Sequence, residues 1–242
     1  MSLNLRPALS DLLVYLKEIG YEDLYLSPRR AAASAGVVPE VPPAVIAAAP
    51  PDEATAARLA ELSALATAAS TCTRCRLAEG RRTVVFSSGN PAADLMFVGE
   101  VPGPEEDRQG IPFVGPAGEL LNKILQAIDL RREDVYIANV VKCRPPGDRE
   151  PKPDEVAACR GYLDKQIDLV RPKLLVALGK VAAQALLGDD GPVGRLRGQW
   201  HQARGIPTMV TYHPTALLRN PALKRPTWED MQQVRDRLRE IG

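Results

Sequence analysis

Long apolar runs are missing from this sequence. No stretch approaches the ~18 consecutive apolar residues that a membrane span needs, so a membrane partner is not expected. The start, Met1–Pro7, has no basic segment leading into an apolar one, which argues against a secretory leader and for a cytoplasmic protein. Charge of either sign is not in excess: 31 Lys and Arg face 30 Asp and Glu, a net of +1. Residues 72–225 carry 23 basic and 18 acidic residues, whereas the first 71 carry 5 and 8. A mildly basic larger part permits nucleic-acid binding through a local patch and does not demand it. Histidine occurs twice, at His201 and His213, and cysteine four times.

What is present divides the 242 residues into three parts. Residues 5–19 place Leu9, Leu12, Leu13, Leu16 and Ile19 at helical spacing. That helix lies in an N-terminal extension, 1–30, too short for its own core, which is expected to dock on the same chain or on a replication or repair partner. Residues 31–51 are mostly Ala, Pro and Val, the composition of an extended linker. Residues 52–242 form the main domain. They open with a helix over 52–70, followed by a strand at Val84–Phe86 and a turn at Ser88–Pro91. Four near-continuous apolar strands follow, at 94–99, 135–141, 173–178 and 207–212, alternating with helices at 117–129, 154–170, 180–187 and 227–240. A short hairpin is placed within 189–206. Unbroken apolar strands alternating with helices predict a parallel sheet covered on both faces. The carboxyl ends of those strands carry Glu100, Asn139 to Cys143, Gly179 and His213, which should converge on one rim.

The longest feature on that rim is the Gly- and Pro-punctuated loop 99–121. It holds four carboxylates (Glu100, Glu105, Glu106 and Asp107) and a single aromatic, Phe113. Long ordered loops are disproportionately functional. For Glu105 the expected setting is a solvated acidic turn.

Cys72 and Cys75 form a C-x-x-C, and Cys143 and Cys159 follow far downstream. A cytosolic setting disfavours disulfides. The C-x-x-C precedes the first good strand, which disfavours a thioredoxin-like redox motif. Either four unrelated buried thiols or one four-thiolate site fits, and thiolates suit zinc and iron–sulfur alike.

Three segments in order resemble the family 4, iron–sulfur uracil-DNA glycosylases: Gly99-Glu-x-Pro-Gly103; Gly110-x-Pro-Phe-Val-Gly-x-Ala-Gly-x-Leu-Leu121; and His213-Pro-x-x-Leu-Leu-Arg219. The cysteines are in register with that family, with Cys143 inside Asn139-Val-Val-Lys-Cys-Arg-Pro-Pro146. The resemblance covers roughly 72–225. It implies a three-layer α/β/α sandwich on a central four-stranded parallel sheet, and a [4Fe–4S] cluster on Cys72, Cys75, Cys143 and Cys159 with a structural role. It also implies a monofunctional enzyme that flips uracil from single- or double-stranded DNA and hydrolyses its glycosidic bond, starting base-excision repair. A monomer is expected. An iron–sulfur protein that binds DNA or traps uracil without turnover is the alternative.

The resemblance also implies roles for individual residues. Phe113 offers a flat surface for a flipped pyrimidine. The Asn139 carboxamide, both donor and acceptor, matches N3–H and O4 of uracil and mismatches cytosine. His213 would hydrogen-bond uracil O2 as charge develops on the leaving base. Gly99 precedes Glu100, the leading candidate to stabilise the sugar cation or position water, with Glu106 second. Better-known members of the superfamily place an Asp where this chain has Val101. Leu217 and Leu218 supply one wedge and one core residue. Arg219, Arg144, Lys142, Arg195 and Arg197 are candidate phosphate contacts.

Overall fold

A computed structural model of the chain describes residues 52–241. The expected helix over 5–19 and the linker lie outside the described residues. Within them the order is α1 (Glu53–Ser70), α2 (Leu77–Gly80), β1 (Ser88–Gly89), β2 (Leu95–Gly99), α3 (Pro104–Gln109), α4 (Pro116–Ala127), β3 (Tyr136–Asn139), α5 (Pro153–Val170), β4 (Leu174–Leu178), α6 (Lys180–Leu187), α7 (Val193–Leu196), β5 (Trp200–Ala203), β6 (Ile206–Thr211), α8 (Pro214–Arg219) and α9 (Lys224–Ile241). No helix among them is long and apolar enough to cross a membrane.

The strands form one sheet in the order β1-β3-β2-β4-β6-β5. It has six strands, two more than the four parallel ones that the sequence pattern predicts. The pairs β3·β2, β2·β4 and β4·β6 are parallel, and β1 and β5 add antiparallel edges. The expected strand at Val84–Phe86 is absent. One main-chain bond, Val85 N–H to Lys142 O (2.8 Å), holds that stretch, and the pairing falls instead on Ser88–Gly89.

Alternation within the strands explains the layers. Met96, Val98, Tyr136, Ala138, Leu175 and Ala177 pack with α1, α5 and α6 on one face. Leu95, Phe97, Ile137, Leu174, Val176 and Met209 pack with α4 and α9 on the other. Because both faces are covered, β2 and β4 are buried at every position. Each fully buried Leu or Ile contributes about 1.5–3 kcal/mol. From β2 the chain moves to β3 on one side and then returns to β4 on the other. The crevice at the carboxyl ends of β2 and β4 is therefore a topological switch point, where open α/β sheets bind ligands.

Candidate active site

A cleft of about 390 Å³ opens at that switch point, lined by Glu100, Phe113, Asn139, Arg149, His213 and Arg219 among others. They follow three strands: Glu100 and Phe113 come after β2, Asn139 and Arg149 at and after the end of β3, and His213 and Arg219 after β6. Two glycines let these groups approach. A Cβ on Gly99, the last residue of β2, would lie 2.3 Å from Asn139 Oδ1 and 2.6 Å from the Phe113 ring. Gly179, after β4, has φ +94°, and a Cβ there would lie 2.5 Å from Glu100 Oε1 and 3.0 Å from the His213 Cβ.

Glu100 reaches across from β2 to the start of α6, where the Val181 N–H donates to its Oε1 at 3.0 Å. The positive end of that helix favours a carboxylate. Burial nevertheless raises the Glu100 pKa above the ordinary value, with the Val181 hydrogen bond opposing the rise. His213 ends the stretch after β6 and caps α8. Its Nδ1 accepts from the Thr215 N–H at 3.2 Å and lies 2.8 Å from the Thr215 hydroxyl. With Nδ1 accepting, the ring proton is assigned to Nε2. Burial, and then the charge of Arg219, push the imidazole pKa down to about 4, so the ring is neutral at pH 7. The Phe113 ring is 5% exposed, with its centroid 5.5 Å from that of His213. Asn139 is 2% exposed, and its Oδ1 is a buried acceptor with no hydrogen-bond partner.

Several expected placements differ. Glu105, expected in a solvated acidic turn, is part-exposed but lies with Glu106 and Asp107 in the helix α3, whose first turn favours carboxylates. Glu106 Oε2 accepts from Gly103 N–H (3.1 Å), and its Oε1 accepts from Val114 and Gly115 N–H (3.0 and 3.1 Å). Asp107 is buried and accepts from Arg82 N–H, whereas Glu105 pairs with Arg108. Both Glu106 oxygens are thus engaged by main-chain donors, which suits organising the loop rather than chemistry. Leu217 is 2% exposed and Leu218 is 48% exposed, so Leu217 is the core residue and Leu218 the one free to act as a wedge. Lys142 is fully buried, Arg197 is bound to Asp230, and Arg195 pairs with Asp189. None of these three lines the cleft, whereas Arg219 does. The sequence reading missed Arg149, whose guanidinium is held by the fully buried Glu155 (2.6 and 2.8 Å) at the cleft edge.

The four cysteines line a second pocket, which shares no lining residue with the cleft. All four are free thiols. Arg81 Nη1 lies 3.4 Å from Cys143 Sγ, and the Lys142 N–H points at Cys159 Sγ at 3.3 Å. Among the described residues no group of three or more His, Cys, Asp or Glu side chains is gathered closely enough for a single metal ion.

Comparison with known proteins gives a consistent picture. Residues 86–232 match the family model described as the uracil DNA glycosylase superfamily. The chain is 42% identical over 174 residues to a type-4 uracil-DNA glycosylase of Sulfurisphaera tokodaii, covering 68% of this chain and 79% of the relative. It is 43% identical to that of Thermotoga maritima, with 71% and 91% covered. The type-4 enzyme of Archaeoglobus fulgidus is 40% identical, with 67% and 86% covered.

Proposed function

We propose, from the premise that this chain belongs to the uracil DNA glycosylase superfamily, that Glu100, Phe113, Asn139 and His213 hold a uracil swung out of DNA and cleave its bond to the sugar. The protein is a uracil-DNA glycosylase of the type-4 kind that removes uracil from DNA in repair. A protein that binds or traps uracil without turnover is not favoured.

The single observation that carries the residue assignment is the orphaned Asn139 Oδ1. A buried acceptor left without a donor costs about 1–3 kcal/mol, and uracil N3–H is the donor it lacks. Asn139 Nδ2 then donates to O4. Cytosine reverses both partners at these atoms, so a fixed carboxamide rejects it. The Phe113 ring supplies the stacking face.

In the reaction the C1′–N1 bond breaks and its electron pair leaves with uracil, placing negative charge on N1 and O2. Neutral His213 donates its Nε2–H to O2, stabilising charge where it develops. Its proton stays on the ring, because Nδ1 is held as an acceptor by Thr215. Glu100 stabilises the oxocarbenium sugar and takes a proton from the water that adds to C1′. A pKa raised by burial makes it the stronger base once ionised. Val101 lines the cleft but has no group to activate water. No lysine is among the residues lining the cleft, which supports hydrolysis over Schiff-base chemistry.

The donor set of four free thiols fits an iron–sulfur cluster held by Cys72, Cys75, Cys143 and Cys159. Four thiols share one pocket, and N–H donors face two of the sulfurs. When bound, a [4Fe–4S] group would supply a covalent cross-link between the end of α1, the loop after β3 and α5. Anaerobic purification should give brown protein with about four irons per chain; zinc in place of iron would overturn this assignment.

The test of function is a uracil-containing oligonucleotide treated with protein and then alkali. Free uracil and scission at the uracil position are expected, with none in a thymine control. No scission, or protein left covalently on the DNA, would overturn the reading.

A further inference from the structure

We propose that Arg132 is a positioning residue for uracil stacking, forming with Glu106 a two-sided clamp that fixes the main chain around Phe113. The proposal rests on the reading of Phe113 as the stacking surface.

Phe113 has φ +55°, an uncommon conformation for a residue with a bulky side chain. Something outside the segment must hold it. Arg132 does so from one side. Its Nη1 donates to Phe113 O (2.8 Å), and its Nη2 donates to Pro112 O and to Ser88 Oγ (2.9 Å). Glu106 acts from the other side, accepting the next two N–H groups, those of Val114 and Gly115. Two consecutive carbonyls and the two following amides are thus bound by two side chains of opposite charge. The aromatic ring projects from the middle of the clamped segment into the cleft.

The neighbouring arginine shows that this placement is particular. Arg131 is exposed and pairs with Glu133 and Asp134, as a surface arginine ordinarily does. Arg132 is half-buried, and its hydrogen bonds go to neutral oxygens. Burial lowers its pKa, and the charge of Glu106 opposes that shift. A planar fork reaches several acceptors at fixed angles; a lysine ammonium cannot. A guanidinium held near main-chain carbonyls, without a carboxylate within ion-pair distance, serves the geometry of that turn.

The test is a double-mutant cycle on the intact protein. Arg132→Lys should raise both KM for uracil-DNA and the inhibition constant of free uracil about tenfold, the scale of one base–aromatic contact, with a smaller change in kcat. In a Phe113→Ala background the same substitution should add no further loss. Factors that multiply across the two substitutions, or a lowered melting temperature with both constants unchanged, would overturn the proposal. If Arg132→Lys does not fold, Ser88→Ala removes one of the guanidinium's partners. It should shift the two constants in the same direction, and only when Phe113 is present; unchanged constants overturn the clamp. Wild-type activity in the same assay keeps this outcome distinct from the functional reading, because an inactive wild type would sink that reading, whereas an active wild type with an additive cycle sinks only the clamp.

Discussion

Two buried carboxamides lie near the carboxyl end of β3 and are used in opposite ways. Gln166, fully buried, has every group engaged. Its Oε1 accepts from Lys142 Nζ, and its Nε2 donates to Phe86 O (3.1 Å) and Tyr136 Oη (3.0 Å). Asn139, equally hidden, leaves its Oδ1 without a partner. Lys142 bridges the two, because its Nζ also donates to the Asn139 main-chain oxygen (2.6 Å). The same chemical group therefore serves the fold on one side of the sheet and, in the proposed function, receives a ligand at the rim. Polar satisfaction, rather than burial or residue type, separates the two uses.

The largest expected effect breaks the comparison at Asn139. Asn139→Ala should lower kcat/KM for uracil-DNA by about 10²–10³, the cost of losing an aligned polar contact in the transition state, while the melting temperature stays level or rises. Steady-state kinetics and calorimetry on one preparation check both halves.

His213 belongs to the same ligand-facing side and should show it through pH. Its pKa is near 4 in the folded chain and about 6.5 unfolded. Between those values the unfolded chain holds a proton that the folded chain does not. Stability is therefore lost as pH falls from about 6.5 toward 4, by about 3 kcal/mol. Urea unfolding of the wild type and of His213→Gln across this window should differ by that slope, and parallel curves would contradict a buried neutral ring.

Gln166→Leu is the mirror of Asn139→Ala. It takes one acceptor from the Lys142 ammonium, which keeps the Asn139 carbonyl, and the donor from Phe86 O and Tyr136 Oη, and should cost about 1–3 kcal/mol for a group left without a partner, with KM for uracil-DNA little changed. Urea unfolding and kinetics together separate it from the rim substitution.

The inner strands and the rim residues were legible because each rests on a signal that survives without coordinates. Unbroken apolar runs mark β2 and β4, and Glu100, Asn139 and His213 each sit at the end of such a run. The edges were less so: β1 has two residues, and β5, Trp200–Ala203, is not an apolar run, so the sequence places only a short hairpin in its region. The helix α3 was read as loop because Gly and Pro bracket it. Pro104 at its first position and Glu106 three residues after Gly103 are nonetheless helix-start signals that could have found it. Leu217 and Leu218 are adjacent and chemically identical, so only packing separates the core residue from the exposed one. Arg132 and Arg149 had no signal at all, since their partners (main-chain oxygens, Ser88, Asn122 and Glu155) are brought near only by the fold.

The smallest effect concerns Glu100. Burial raises its pKa, so its ionised form at neutral pH works against folding. The folded chain binds the proton more tightly, and stability is present below the unfolded pKa and lost as pH rises through the folded one. Glu100→Gln should raise the melting temperature slightly at neutral pH, with the gain shrinking below about pH 4.3, where the glutamate is protonated in both states. A lowered melting temperature at neutral pH would place Glu100 with Gln166 among the groups that hold the fold.

The central claim is that the open Asn139 acceptor is kept for uracil N3–H. Titration of free uracil into the wild type and into folded Asn139→Ala tests it most directly. The account predicts binding of uracil and not cytosine by the wild type, and loss of uracil binding in Asn139→Ala. Equal affinity for uracil in the two proteins would contradict it.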